Sequence, residues 1–411
     1  MKTNLARIIK DFEILSGFTA TPGQGLTRLT FSQEDRKARE YIKEQLASLG
    51  LAVREDAAGS IIARIEGSVK GPVVLVGSHF DSVKNGGEFD GQAGVIAALE
   101  TARVIVENGI KTNYPLEIVA LVEEEGGGFG AGLYGSRAMA GLVTVEQLQN
   151  NKNAAGQSMY DAMREFGFNP DNISAAKRCK EELRAFIEMH IEQGPVLEKY
   201  KQQIGIVEFI VGIHQLKIRV SGRPDHAGTT PMDMRADALD TAARVIAQIS
   251  KIAQKAGHDT VATVGTLSLK PGAPNIVPAE VLFTVDIRSP QIQSIYAVKG
   301  QICGLLQEIT HETGVRYEVV PVIEIDPVQL NPQIISGIED KCKMLNYSSR
   351  KMVSGAGHDA MIMAGLTDVG LIFVPSKEGR SHCPEEWTAY EDVQKGIEIV
   401  LNTVLDIAQI N

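Results

Sequence analysis

The amino-acid sequence predicts an α/β protein in which a mixed, mostly parallel sheet is flanked by helices and an α+β domain is inserted. Two continuous apolar runs, 72–77 and 116–122, are typical of strands buried on both faces, and a helical pattern at 92–108 lies between them. The pattern changes near residue 212 to strands and amphipathic helices of another kind, and buried strands return after about residue 326. These three observations carry the prediction.

The N-terminal elements agree with this fold class. Residues 1–50 have the pattern helix, loop, helix, and Ser32 is a suitable N-cap for the second helix because acidic residues follow it in the first turn. Residues 51–66 alternate in polarity and turn at about residue 59, as a β-hairpin does. The buried strands and the helix between them then form the start of a layered α/β sheet.

The middle of the chain predicts a small α+β domain with helices on one face of an antiparallel sheet. Its expected strands are 213–221, 260–269 and 279–288, and its expected helices are 233–256 and 291–313. A buried strand at 369–374 and a closing helix at 389–410 follow. We therefore expect a first domain in two sequence pieces, 1–211 and 327–411, with a second domain inserted at 212–326.

Composition excludes several classes of protein. With 41 Lys and Arg against 51 Asp and Glu, the net charge of -10 argues against a nucleic-acid partner, which would need a basic face. No apolar stretch reaches the ~20 residues that cross a bilayer, and the N-terminus lacks the apolar core of a signal peptide. The four cysteines show no CxxC spacing, so we expect neither a disulfide framework nor a cysteine zinc site. We expect a cytoplasmic protein with no membrane partner.

The first polar cluster follows the strand at 72–77 and contains His79 and Asp81. Residues two apart on a strand point the same way, so Asp81 can accept the second ring N–H of His79. A metal-ligand histidine is normally supported in this manner. For this pair taken alone, a hydrogen-bonded pair at a strand end is the more common explanation.

Two further clusters are acidic. Asp90 is bracketed by glycines, so backbone can pass close to a bound group there, although Asp90 can equally N-cap the helix at 92–108. Glu123, Glu124 and Glu125 end the strand at 116–122, where adjacent carboxylates repel one another. A solvated charge run is the usual explanation of such a triplet, but it rarely ends a buried strand. A metal ion would supply positive charge and leave one glutamate as a ligand and another as a base.

Two histidines complete the candidate site. His190 lies where an expected strand feeds a turn, and His382 lies in the loop after the strand at 369–374. Each alone would more often be a structural histidine. Together with the strand-end carboxylates they form a set suited to Zn²⁺ or Mn²⁺, and a bridging carboxylate makes two metals ~3.5–4 Å apart plausible. The chain has no Gly-x-Ser-x-Gly elbow, phosphate-binding Gly-x-x-x-x-Gly-Lys loop or strand-linked GxGxxG.

The chain resembles the hydantoinase/carbamoylase family of amidases, within the co-catalytic zinc peptidase superfamily that includes aminoacylases and carboxypeptidase G. The resemblance spans essentially the whole chain. The stretches that carry it are 77–83 (GSHFDSV), 86–91 (GGEFDG), the triplet 123–125, 190–195 (HIEQGP), 226–232 (HAGTTPM), 274–278 (PNIVP), 286–288 (DIR), 354–359 (SGAGHD), and 373–384 with its FVPS and SHCP ends.

The resemblance implies a di-metal catalytic domain and a role for each matching residue in it. His79 and His190 would hold one metal ion, Glu125 and His382 the other, and Asp90 would bridge the two. Asp81 would orient His79, and Glu124 would be the general base. Zn²⁺ is the first expectation for both ions, with Mn²⁺, Co²⁺ or Ni²⁺ left open.

The resemblance also implies a homodimer formed by the inserted domain, which would close over substrate. His226 would reach the partner subunit's active site and stabilise the oxyanion. Asn275 and Arg288 would bind the substrate carboxylate, for which an Arg fork is well suited. Further candidates for the pocket wall are Gln193, Gln215 and Gly357.

The implied reaction is hydrolysis of the ureido C–N bond of an N-carbamoyl-L-amino acid to the L-amino acid, ammonia and carbon dioxide. Allantoate or another ureido acid is an alternative substrate, an N-acyl amino acid hydrolase or peptidase an alternative activity, and a non-catalytic binding protein an alternative class. The stretch 212–215 (GIHQ) departs from the Gly-Gln-Arg-Arg of allantoate hydrolases, whereas 135–137 and 384–387 favour carbamoyl amino acids. Gly127-Gly128 replaces a pair such as Ser-Arg, which leaves the pocket's charge and size open.

Overall fold

A computed structural model describes residues 2–410 of the protein, and these residues form two compact units. The first unit contains the residues up to Glu208 and those from Leu330 onward, and the second contains Phe209–Gln329. The sequence-based domain borders were 211/212 and 326/327. The catalytic and dimerisation roles expected for the two parts stay predictions.

Within residues 2–410 the strands are β1 (Ala52–Glu55), β2 (Ile61–Ile65), β3 (Val73–His79), β4 (Leu116–Leu121), β5 (Leu183–Ile191), β6 (Ile204–Ile210), β7 (Gly212–Ser221), β8 (Val261–Lys270), β9 (Glu280–Ser289), β10 (Arg316–Ile325), β11 (Val328–Gln329), β12 (Ser349–Ser354) and β13 (Asp368–Val374).

The α-helices of the same residues are α1 (Leu5–Ser16), α2 (Gln33–Ser48), α3 (Gln92–Glu107), α4 (Tyr134–Met139), α5 (Val145–Asn150), α6 (Met159–Phe166), α7 (Val196–Lys199), α8 (Ala238–Ala256), α9 (Ile292–Thr313), α10 (Pro332–Leu345), α11 (Asp359–Met363) and α12 (Tyr390–Ala408). None of the helices within 2–410 combines the length and apolarity needed to cross a membrane.

The first unit is built on a mixed sheet with the strand order β1-β2-β4-β3-β5-β13-β6, and β12 also pairs with β6. Its four central strands, β4, β3, β5 and β13, are parallel, whereas β1, β2 and β6 join antiparallel. All seven residues of β3 and all six of β4 are buried, as the continuous apolar runs predicted. Helices α3 and α12 pack against the central strands. The mostly parallel α/β prediction is confirmed.

One helix begins at the capping residue that the sequence predicted. The side chain of Ser32 accepts a hydrogen bond from the Asp35 backbone N–H, which confirms the predicted start of α2. The closing helix α12 is shorter than the predicted 389–410 and runs from Tyr390 to Ala408.

The second unit is an antiparallel sheet in the order β10-β7-β9-β8 with helices α8 and α9. Alternate residues of β9 are buried, and Phe283 packs in one apolar core with Val245 of α8 and Ile302 of α9. Two predictions here were wrong in detail. Strand β10 was missed, because most of its residues are exposed and its pairing shifts register between Pro321 and Ile323. Helix α8 begins at Ala238 and not at 233, because the Asp237 side chain caps it.

Candidate active site

The candidate site forms at the edge where the central parallel strands of the first unit end. Strand β3 ends at His79, and β4 ends just before the Glu123–Glu125 triplet. His190 is the penultimate residue of β5, and the loop after β13 carries His382. Because carboxyl ends of neighbouring parallel strands meet at one edge of a sheet, residues far apart in sequence converge there.

Asp90 lies between two sets of nitrogen and oxygen ligand atoms. Its Oδ1 is 3.2 Å from His190 Nε2 and 3.9 Å from His79 Nε2, and the two imidazole Nε2 atoms are 3.2 Å apart. Its Oδ2 is 3.0 Å from His382 Nε2, which is 3.4 Å from Glu125 Oε2. Asp90 therefore presents one carboxylate oxygen to each set, which is the arrangement that a bridging ligand requires.

Glu124 lies beside this bridge. Its Oε2 is 3.8 Å from His79 Nε2, and one ligand atom from each of His79, Glu124 and Glu125 falls within 4.8 Å of the others. Glu123 points elsewhere, since its Oε1 accepts hydrogen bonds from the backbone N–H groups of Gly128 and Phe129. The triplet is thus divided between two carboxylates at the site and one that fixes the following loop.

The histidines compensate only part of the negative charge that the carboxylates of this site would carry. Burial raises the pKa of Glu125 to about 8 and raises that of Glu124 well above its ordinary value, although His79 opposes both shifts. Burial alone would also raise the pKa of Asp90, but His190, His382 and His79 hold it far below its usual range. Asp90 Oδ1 is buried and makes no hydrogen bond within residues 2–410. A divalent cation would satisfy these atoms and this charge, so the donor set fits one.

Asp81 supports the site in a way that the sequence predicted only in part. Strand β3 ends at His79, so Asp81 lies just beyond it, with Oδ1 3.6 Å and the backbone oxygen 3.2 Å from His79 Nδ1. Its carboxylate oxygens accept the backbone N–H groups of Glu124 and Glu125 at 3.0 and 3.1 Å. One carboxylate thus lies against both the imidazole and the acidic loop.

Gly91 allows the imidazole of His79 to lie where it does. Its φ of 63° favours glycine, and a Cβ there would be 2.2 Å from His79 Cε1. Gly91 is also the N-cap of α3, with no side-chain cap. The alternative role of Asp90 as the side-chain cap of α3 is therefore not realised.

Gln193 and Gly357 also belong to the first unit. Gln193 donates from Nε2 to Asp90 Oδ2 at 2.7 Å, and this nitrogen is 3.4 Å from His382 Nε2. Gly357 precedes His358, whose buried ring has its centroid 4.5 Å from that of His190. Gln193 thus reaches the bridging carboxylate, and Gly357 lies one residue from a ring that packs on the site.

The remaining predicted residues, which are His226, Asn275, Gln215 and Arg288, belong to the second unit. The strand-like bridge of His226 with Ile276 and the hydrogen bond from Ala227 N to Asn275 O bring His226 and Asn275 onto adjacent segments. Gln215 lies opposite Asp286 in the sheet, and Arg288 donates from Nε to Asp286 Oδ1 at 2.8 Å.

The hydrogen bonds of His226 define its tautomer. Nδ1 accepts the backbone N–H groups of Gly228 and Thr229 at 3.1 and 3.2 Å, so it carries no hydrogen in the neutral ring. The proton of the neutral imidazole is then on Nε2. The exposed His226 side chain can therefore donate a hydrogen bond from that atom.

Residues 75–406 match peptidase family M20/M25/M40. The chain belongs to this family. It is 46% identical over 404 residues to an N-carbamoyl-L-amino-acid amidohydrolase of Paenarthrobacter aurescens, with 98% of each chain covered. It is 35% identical over 400 residues to an allantoate amidohydrolase of Escherichia coli K12, with 96% of each covered. A solved amidase of the hydantoinase/carbamoylase family from Burkholderia multivorans has a TM-score of 0.91 at 31% identity and covers 99% of this chain and 98% of its own.

Membership of family M20/M25/M40 confirms the resemblance stated from sequence, and the His, Asp and Glu cluster suits a divalent metal. Sequence reasoning gave no role to Glu188, whose buried carboxylate accepts from Ser78 Oγ at 2.7 Å and Ala360 N at 2.8 Å. Its position two residues before His190 on β5 was an available signal, because both lie on one face. The sequence analysis also gave no role to Glu386. It lies in a loop, so its spacing from His382 does not predict that the two side chains share a face.

Replacing Gly91 with alanine is expected to displace the His79 ring and to weaken the binding of a divalent metal ion, for which Zn²⁺ is the probe, by about tenfold or more. Titration of the metal-free protein with Zn²⁺ by calorimetry measures this. Gly109→Ala is the matched control, because Gly109 has nearly the same φ, 60°, but nothing within 4 Å of an added Cβ. Equal Zn²⁺ affinities in the two variants would show that the contact with the ring is unimportant.

Proposed function

We propose that this protein hydrolyses the ureido C–N bond of N-carbamoyl-L-amino acids, consuming one water and releasing the L-amino acid, ammonia and carbon dioxide. The observation that carries the proposal is the placing of Asp90 between two His and carboxylate sets. Similarity along nearly the whole chain to a protein named for this activity supports the substrate class. Retention of all five ligand candidates together with Glu124 favours an enzyme over a binding protein on the same fold.

We assign two metal positions to the site. His79 and His190 would hold one ion, Glu125 and His382 the other, and Asp90 would contribute an oxygen to each. Zn²⁺ is our first choice, and Mn²⁺, Co²⁺ and Ni²⁺ suit the same donors. Divalent ions bound here would polarise the carbamoyl group and make water more acidic.

Glu124 is assigned as the general base. Its side chain lies beside the donors that surround Asp90, and burial raises its pKa, which makes the carboxylate form a stronger base. A buried carboxylate of this kind can take the proton of the attacking water and deliver it to the leaving nitrogen. Asp81 keeps the acidic loop in place through the backbone of Glu124, so Asp81 acts as a positioning residue.

The second unit is assigned the recognition of substrate. Nε2–H of His226 would stabilise the developing oxyanion in the partner subunit of a homodimer. Asn275 and Arg288 would bind the substrate carboxylate, and Gln215 is a further candidate for contact with substrate. In the first unit, Gln193 and Gly357 are the candidates for contact with substrate. The acidic composition is compatible with a small-molecule substrate and a cytoplasmic location, which we retain as part of the proposal.

Allantoate is the second candidate substrate, because the chain is also similar to an allantoate amidohydrolase over nearly its full length. Allantoate carries ureido groups and a carboxylate, so the same assigned residues could bind it. The local sequence at 212–215 argues against this alternative.

A substrate panel tests the proposal directly. We expect kcat/KM for N-carbamoyl-L-methionine to exceed that for allantoate and for 3-ureidopropionate by at least about tenfold, or about 1.4 kcal/mol in transition-state binding. Release of ammonia by the Zn²⁺-loaded protein is the measurement, and N-carbamoyl-D-methionine is the stereochemical control. Faster turnover of allantoate would replace our first choice of substrate.

Glu124→Gln is expected to lower kcat by about 10²- to 10⁴-fold, because the amide cannot accept the proton of water. Metal content should stay at the wild-type level, since Glu124 is not assigned as a ligand. Glu146→Gln, an exposed change on α5, is the control and should keep full activity. Undiminished turnover by Glu124→Gln would refute the assigned base.

His226→Ala is expected to retain metal and to lose most of its turnover. The test of a role across a dimer is to mix equal amounts of His226→Ala and Glu124→Gln subunits, unfold them and refold them together. Half of the dimers are then hybrids, and each hybrid holds one complete site out of two if His226 acts in the partner subunit. The mixture should therefore regain about a quarter of wild-type activity. Each variant refolded alone serves as the control. If hybrid dimers form normally and activity does not recover, His226 either acts in the active site of its own subunit or takes no part in the reaction.

A further inference from the structure

The side chain of Glu386 connects two loops of the site but has no role in the proposed chemistry. It is 3% exposed, and it lies four residues after His382. Its Oε1 accepts hydrogen bonds from the backbone N–H groups of Phe89 and Asp90 at 2.9 and 3.0 Å. Its Oε2 accepts from the hydroxyl of Ser381 at 2.6 Å. A single carboxylate thus joins the loop that carries Asp90 to the loop that carries His382.

Ser381 extends this connection to the bridging carboxylate itself. Its Oγ is 3.2 Å from Asp90 Oδ2 as well as 2.6 Å from Glu386 Oε2. A hydroxyl has one hydrogen, and the shorter contact is to Glu386, so Ser381 is oriented toward Glu386. Asp90 Oδ2 then accepts the hydrogen of Gln193 Nε2 at 2.7 Å and none from Ser381.

Gly87 permits the close approach of the two loops. A Cβ built on Gly87 would lie 2.1 Å from both Cδ and Oε1 of Glu386. Any side chain at this position would therefore push Glu386 away from the backbone of Phe89 and Asp90. The absence of a side chain at Gly87 therefore lets the Glu386 carboxylate lie against the backbone of Phe89 and Asp90.

We propose that Glu386 is a positioning residue of the metal centre, which fixes Asp90 relative to His382. The proposal rests on the proposed function, because it assumes that these residues bind metal. Glu386 is not itself assigned as a ligand, since both of its oxygens are occupied by backbone N–H groups or by the Ser381 hydroxyl. It acts through the backbone of Asp90 and through the loop of His382.

The metal ion assigned to Asp90, Glu125 and His382 should depend on Glu386 more than the metal ion assigned to His79 and His190 does. His382 lies in a loop and is half exposed, so its place is set by the contacts of that loop. His79 and His190 belong to buried strands β3 and β5, which hold their backbones independently of Glu386. Loss of Glu386 should therefore weaken one metal position selectively.

Calorimetric titration of the metal-free full-length protein with Zn²⁺ tests this role without relying on activity. Wild type should bind two equivalents. Glu386→Ala should raise the dissociation constant of one equivalent by about 10- to 100-fold, as loss of a group that orients ligands typically does. Glu386→Gln should restore affinity to within about fivefold, because its amide oxygen can still accept both backbone N–H groups. The matched control is Glu385→Ala, since the Glu385 side chain is exposed and pairs with Arg380.

Ser381→Ala replaces Glu386→Ala in this test if Glu386→Ala does not fold. It removes only the hydroxyl that donates a hydrogen bond to Glu386 Oε2. It should weaken the same equivalent by about three- to tenfold. Wild-type affinities for both equivalents in folded Glu386→Ala, or otherwise in Ser381→Ala, would overturn the positioning role. Equal losses in Glu386→Ala and Glu386→Gln would also overturn it. A wild-type chain that binds no Zn²⁺ would instead contradict the proposed function, on which this role rests.

Discussion

Several carboxylates buried at one edge of a sheet cost free energy unless positive charge lies among them. Four parallel strands create this situation here, because their carboxyl ends bring Asp90, Glu124 and Glu125 together with three histidines. The imidazoles offset only part of the charge, since burial still raises the pKa of Glu125 to about 8. The need for further positive charge therefore follows from the topology of the sheet, and a divalent cation is the species that these donors suit.

A second set of carboxylates stabilises the loops that present the first set. Asp81 accepts the backbone N–H groups of residues 124 and 125, Glu123 those of 128 and 129, and Glu386 those of 89 and 90. Each loop is thus held by a carboxylate from another part of the chain or from an earlier turn. The side chains of the ligand candidates are therefore not needed to hold these loops.

The ligand candidates could be predicted from sequence because each lies at the end of a strand that the sequence indicates or in the loop after it. Glu386 could not be predicted in this way, since it lies 297 residues from Phe89 and only the folded sheet brings the two loops together. Glu188 had a signal in its spacing from His190, but its hydrogen bond with the backbone of Ala360, 172 residues away, also depends on the folded sheet. Strand β10 was missed for a different reason, because an exposed strand with a register shift has no strict alternation of polarity.

The proposed roles are divided between the two units, with the reaction assigned to the first and most of the substrate recognition to the second. The metal candidates and Glu124 lie in the first unit and are assigned to the reaction that the ureido acids share. His226, Asn275, Gln215 and Arg288 lie in the second unit, where Asp286 orients the guanidinium of Arg288. Changes in the second unit could thus alter the substrate without disturbing the metal donors. Relatives named for carbamoyl amino acids and for allantoate can then share the chemistry while they differ in what they bind.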